Sequence, residues 1–140
     1  MRTIKFRAWD GTFDKKMFIV DRLSYTYDRT KVLATKMDYS SENAKFEQLK
    51  EKSGQFPIMQ FTGLKDKNGK EIYEGDIVKL KENEYYFERS GEVIFEEGTF
   101  KIKNVELWND GTYNHYSLEI LDTEFCEIIG NIHENKDLIK

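Results

Sequence analysis

The chain has 140 residues, 39% of them hydrophobic and 14% aromatic. That is enough for one ordinary domain or two small units with a packed core, and it argues against global disorder because each aromatic ring buries a large area. Charged residues make up 34% with both signs interspersed and a net charge of −4, which argues against a strongly basic nucleic-acid footprint built from clustered Lys and Arg.

One cysteine, Cys126, rules out an intrachain disulfide framework and a multi-Cys zinc site, and fits a reducing compartment. The opening "MRTIKFRAWDGTF" has no apolar run of signal-peptide type, and no window reaches the length of a membrane helix. The expectation is a soluble, cytoplasmic protein.

In chain order, "TIKFRAW" alternates, with Ile4, Phe6 and Ala8 on one face and Lys5, Arg7 and Trp9 on the other, as in a half-buried strand. Asp10-Gly11 opens a loop, and "KMFIVD" completes a hairpin. "RLSYTYD" and "KVLATKMDY" read as further strands. "SSENAKFEQLKEKSG" reads as a short surface helix over about 42–52, with Ser41 as N-cap and Gly54 as stop. Pro57, the only proline, marks the expected boundary between residues 1–56 and 57–140.

Beyond it the chain reads almost wholly as strand and turn. "PIMQFTGL", "DIVKLK", "GEVIFEE", "FKIKN", "VELW", "YSLEIL" and "FCEIIGNI" are strand segments. Turns fall at Asn68-Gly69, Gly75-Asp76, Gly98 and Asn109-Asp110-Gly111, and "NKDLIK" suits one helical turn. Short strands at regular spacing suggest a small barrel or a strongly bent sheet. Gly75-Asp76-Ile77-Val78, followed by "SGEVIF", is a pattern met in SH3-like barrels.

The stretch "FTGLKDKNGKEIYEGDIVKL" is the densest in turn chemistry. As a calcium loop it fails. With Gly69 at the glycine position, Leu64 stands where the first Asp must be and Gly75 where the terminal Glu must be. As a structural turn it fits. Asn68-Gly69 suits a type I′ hairpin turn, and Asp66 can accept hydrogen bonds from nearby backbone N–H groups. A phosphate loop fails too, because Gly63 and Gly69 are one residue too far apart and Glu71 follows Lys70.

Other candidate chemistry is sparse. His115 and His133 lie far apart in sequence, and no spacing supports a metal site of His133, Glu134 and Cys126. Cys126, between apolar residues and beside Glu124 and Glu127, reads as a small buried hydrophobe rather than a nucleophile. Glu74 and Asp76 read by default as surface charge, since sequence cannot place them in a cleft. "ENEYYFERSG" offers Tyr85, Tyr86 and Arg89 as a partner surface. Stacking on nucleic acid is opposed there by Glu82, Glu84 and Glu88.

"IKFRAWD", "MQFTGLKDKNGKEIYEGDIVK" and "IIGNIHEN", in that order, resemble the YopX family of phage and prophage proteins. The resemblance implies an SH3-like β-barrel with an accessory N-terminal part. It carries over no catalytic residues.

The expected fold is therefore mainly β, an SH3-like barrel from about residue 60 with an N-terminal β-hairpin and short helix packed against it. The expected core is Ile4, Phe6, Trp9, Phe18, Leu64, Ile72, Ile77, Val78, Val93, Phe95, Ile128 and Ile129. The expected function is that of a phage or prophage accessory protein without catalysis, cofactor or metal, acting through a protein partner or self-association. The alternative is a nucleic-acid-binding barrel in phage DNA metabolism or regulation, using Tyr85, Tyr86 and Arg89.

Overall fold

A computed structural model describes residues 3–11, 15–25, 32–37, 51–54, 56–81, 89–107, 112–117 and 126–138. The described chain is mainly β and its strand pairings are antiparallel. It falls into two units, residues 5–59 and residues 1–4 with 60–140. Among the described residues no helix is long and apolar enough to cross a membrane.

In the unit formed by residues 5–59, strands β1 (Phe6–Asp10) and β2 (Lys16–Ile19) form the expected hairpin, with Ala8 opposite Phe18. Ala8 and Phe18 are buried, and Val20, Phe56 and Ile58 pack around them. The Phe18 and Phe56 rings meet edge to face at 5.2 Å between centroids, the arrangement that brings a positive ring edge onto a negative face. The Trp9 amide donates to the Pro57 carbonyl at 3.1 Å. β1 departs from simple alternation: Arg7 and Asp10 are buried along with Ala8, whereas Ile4, outside the strand, is 66% exposed.

Strands β3 (Arg22–Tyr25), β4 (Val32–Met37) and β5 (Glu51–Gly54) make a three-stranded meander in that order. The helix expected over about 42–52 is contradicted at its end. Glu51 and Lys52 lie in β5, paired with Met37 and Lys36 of β4. Cross-strand pairing overrides a local preference worth only tenths of a kcal/mol per residue. Residues 42–50 lie outside the described residues.

The second unit holds most of β6 (Ile58–Lys65), then β7 (Glu71–Tyr73), β8 (Asp76–Leu80), β9 (Arg89–Glu96), β10 (Thr99–Leu107), β11 (Thr112–Ser117) and β12 (Cys126–Asn131). β6 and β7 pair through a bulge that includes Gly63, at φ 94°. The others form a five-stranded sheet in the order β11-β10-β9-β8-β12. A 3-10 turn at Lys136–Leu138 is the only helical element among the described residues.

Ile72, Val78, Leu80, Val93, Phe100, Ile102 and Cys126 form one buried cluster, with Leu64 and Ile128 packed against it. Removing a Val, Leu or Ile side chain from water contributes about 1.5–3 kcal/mol, so this cluster dominates the stability of the unit. Of the expected core, Phe18, Ile72, Ile77, Val78 and Val93 are fully buried, while Phe6, Trp9, Leu64, Ile128 and Ile129 are half-buried. Phe95 is a correction: it is 49% exposed. It pairs across the ladder with Phe100, and the two rings meet at a 58° tilt with centroids 4.9 Å apart, at the hairpin end where the core runs out.

The turns also differ from expectation. Asn68 has no positive φ; Gly69 alone does, at 79°. The Gly69 amide donates to the Asp66 carbonyl at 2.9 Å, so Lys67 and Asn68 are the central residues and Gly69 follows them in the left-handed region. This is the longer hairpin connection that ends in a left-handed glycine, rather than the type I′ turn. The type I′ geometry appears instead at Glu97 (φ 52°) and Gly98 (φ 81°), between the paired residues Glu96 and Thr99. Gly69→Val is still expected to destabilise the protein by about 1 kcal/mol. A Cβ there meets nothing within 4 Å, so the cost is backbone strain alone. An unchanged denaturant midpoint would refute the assignment.

Candidate functional site

The residues that carry chemistry in "TGLKDKNGKEIYEGDIV" converge on the start and end of β12. Asp66 is buried. Its Oδ1 accepts from the amides of Asn68 and Lys70, both at 2.9 Å, and its Oδ2 accepts from the Ile128 amide at 3.1 Å. The Lys67 amide donates to the Cys126 carbonyl at 2.9 Å, and the Lys67 ammonium pairs with the Glu127 carboxylate. The β6–β7 turn is thereby fastened along β12. Burial pushes the Asp66 carboxyl upward, but the backbone donors of Ile128, Lys70 and Asn68 outweigh it, and the group sits below the ordinary carboxylate value. Hydrogen bonds to the ionised form favour that form.

Gly75-Asp76 forms a second fastening. Gly75, at φ 75°, donates its amide to the Val93 carbonyl of β9 at 2.7 Å and accepts from the Ile132 amide at 2.9 Å. Asp76 is 1% exposed, and its Oδ2 accepts from the Tyr73 amide at 2.8 Å. The reading of Asp76 as surface charge is therefore corrected. Glu74 points its backbone amide at the Gln60 carbonyl and is half-buried.

"GNIHEN" is a third device. Asn131 Oδ1 accepts from the amides of His133 and Glu134, both at 3.0 Å, and Asn131 Nδ2 donates to the Glu134 carboxylate at 2.6 Å. The Asn135 amide returns to the Asn131 carbonyl at 2.9 Å. The asparagine thus replaces the backbone partners that a chain reversal removes. A Cβ on Gly130 would fall 2.6 Å from Asn135 Oδ1 and 2.9 Å from its Cβ, so the glycine lets Asn135 close over the strand end.

Cys126 is fully buried. Burial, with Asp66 and Asp76 nearby, pushes its thiol up to about 12, the opposite of what a nucleophilic thiolate needs. Among the described residues no group of His, Cys, Asp and Glu is arranged to hold a metal ion. Tyr85 and Tyr86 lie outside the described residues. Arg89 pairs with Leu80 at the start of β9.

One cavity of about 300 Å³ opens beside the third turn, lined by Glu92, Ile132, His133 and Lys136. It lies at the lower end of the small-ligand range. Sequence reading gave no sign of it, because Glu92 reaches it from β9 and the other three from the turn after β12.

A mainly β, antiparallel protein whose motif side chains knit one hairpin turn and one C-terminal turn onto a five-stranded sheet is the class these features define. The chain belongs to the YopX family: the family model described as "YopX protein" matches residues 5–140. Among solved structures it is similar to protein EF1440 from Enterococcus faecalis, at 27% identity and a TM-score of 0.58, with all of both chains covered. It is also similar to protein yopX from Bacillus subtilis, at 21% identity and a TM-score of 0.64, again over the whole of both chains; at that identity the likeness is one of fold. No curated protein matches the chain.

Proposed function

We propose that the protein is a phage- or prophage-encoded accessory protein of the cytoplasm that acts by binding other protein surfaces, its own copies included, rather than by turnover. On this reading the five-stranded sheet with the β6–β7 hairpin is an SH3-like small barrel that serves as a scaffold. The observation that carries the reading is the engagement of Asp66, Asp76 and Asn131 by backbone amides. A carboxylate held by three amides and a carboxamide closing a turn are committed to positioning the backbone. The contact surface is assigned to the β9–β10 hairpin end, where Phe95 remains half-exposed on Phe100; exposed aromatic residues are enriched in protein interfaces.

Sedimentation velocity from low to high micromolar concentration tests the reading. Concentration-dependent association of the wild type that Phe95→Ser weakens, with an unchanged thermal midpoint, supports it. A specific turnover reaction abolished by one carboxylate substitution would overturn it. So would retardation of DNA or RNA in a mobility-shift assay at low salt, where phosphate contacts are least screened.

A further inference from the structure

Gly130, Ile77, Glu92 and Lys103 stand side by side in one cross-strand row over β12, β8, β9 and β10. Adjacent strands lie about 4.8 Å apart, so β12 and β9 are separated by roughly 10 Å across β8. Ile77 is fully buried, and Gly130 adds no side chain to the row. On the β12 side the chain turns back over the sheet. The Asn135 side chain sits against Gly130, and the Leu138 amide donates to the Asn135 carbonyl at 3.0 Å. The fold-back brings Ile132, His133 and Lys136 to the 300 Å³ cavity that Glu92 lines from β9.

The two charges of this cavity are left without a protein partner among the described residues. Among the described residues neither the Glu92 carboxylate nor the Lys136 ammonium makes a side-chain hydrogen bond or an ion pair. Lys103, directly across from Glu92 in β10, does not pair with it either. By contrast, Lys67 pairs with Glu127, and Lys101 with Glu96 and Glu97. A carboxylate and an ammonium therefore line one cavity without pairing with each other. A simple anion or a simple amine would engage only one of them. A molecule with an ammonium at one end, a carboxylate at the other and a short apolar body between them engages both and covers Ile132.

We propose that this cavity is a binding site for a small zwitterion of amino-acid to dipeptide size. Its ammonium lies on Glu92, its carboxylate lies on Lys136 beside His133, and its side chain lies against Ile132. The site is independent of the protein-contact reading above, which rests on the β9–β10 hairpin end.

The test is a ¹⁵N–¹H NMR titration of the full chain with three probes: the dipeptide Ala-Leu, its N-acetyl form and its C-terminal amide. Ala-Leu is expected to shift the amide signals of Glu92, Ile132 and His133. Blocking either end is expected to weaken binding about fivefold, the contribution of one solvent-accessible ion pair. Glu92→Gln should remove the penalty for acetylation, and Lys136→Gln the penalty for amidation. Neither side chain belongs to the buried cluster or the turn fastenings, so both variants are expected to keep the wild-type thermal midpoint. No shift up to the solubility limit of Ala-Leu would overturn the proposal. Equal binding of all three probes would overturn it, as would a penalty at one end only, which marks a simple anion or amine site.

Discussion

Gly91→Ala is expected to lower stability by about 3 kcal/mol, because the added methyl group has no room in the sheet. Gly91 is buried in β9, opposite Val78 of β8. A Cβ there would fall far inside van der Waals contact with Ile102 Cγ2 and with the Lys103 carbonyl oxygen of β10. The first neighbour belongs to the buried cluster and the second to the backbone of the adjacent strand. A Cβ has no rotamer through which to escape, so relief requires β9 and β10 to part where Ile102 pairs with Val93 and Lys103 with Glu92. Overpacking costs typically 1–3 kcal/mol, and the backbone obstacle places this case at the upper end. Gly91 is not a positive-φ glycine, so alanine carries no conformational strain there. Its restriction of the unfolded chain returns only about 0.4–1 kcal/mol. The measurement is the urea midpoint at constant slope, with Gly69→Val as the contrasting variant in which strain acts without a clash. A loss at Gly91 no larger than that at Gly69 would show that β10 yields easily and that the packing assigned to it is wrong.

The strands were legible in the sequence because alternation reports which side of a strand meets a core. Val78 with Leu80, and Val93, follow from it directly, and the Gly98 hairpin follows from its flanking strands, whereas Ile77 is buried on the opposite face of β8 from Val78. What alternation cannot report is where the core ends. Ile4 and Phe95 have the right spacing and lie past its edge. The turn at Asn68-Gly69 is wider than a two-residue hairpin because the Asp66 side chain takes the Asn68 and Lys70 amides. That competition between side chain and backbone is not contained in a two-residue motif. The burial of Asp76 is not legible in the sequence because the amide it accepts from is supplied by a turn. The cavity was invisible for a different reason: Glu92 and Lys136 are brought together only by the strand order β9-β8-β12.

Asp66→Ala is expected to cost about 3 kcal/mol at neutral pH and progressively less in acid. Three amides lose a charged acceptor at once, and the side chain they share is buried. Hydrogen bonds to charged groups contribute about 1.5–3 kcal/mol each. They are not additive here, because the Asn68 and Lys70 amides regain water when the turn loosens, whereas the Ile128 amide at the edge of the buried cluster regains it less readily. Asp66→Asn is expected to cost about half as much, since its Oδ1 can still accept from Asn68 and Lys70 while its Nδ2 cannot accept from Ile128. The pH dependence separates loss of charge from loss of shape. The folded-state value of Asp66 lies below the ordinary 3.8. Its contribution is therefore complete above the unfolded value and disappears as pH falls through the folded one. The wild-type slope alone does not isolate it, because Glu127 is likewise lowered, first by its hydrogen bond from Lys67. The difference between wild type and Asp66→Ala does isolate it. That gap is expected to be constant from neutral pH down to about 5 and to narrow below about 4. A gap that stays constant through the acid range would mean that Asp66 fastens the turn to β12 by shape alone, without its charge.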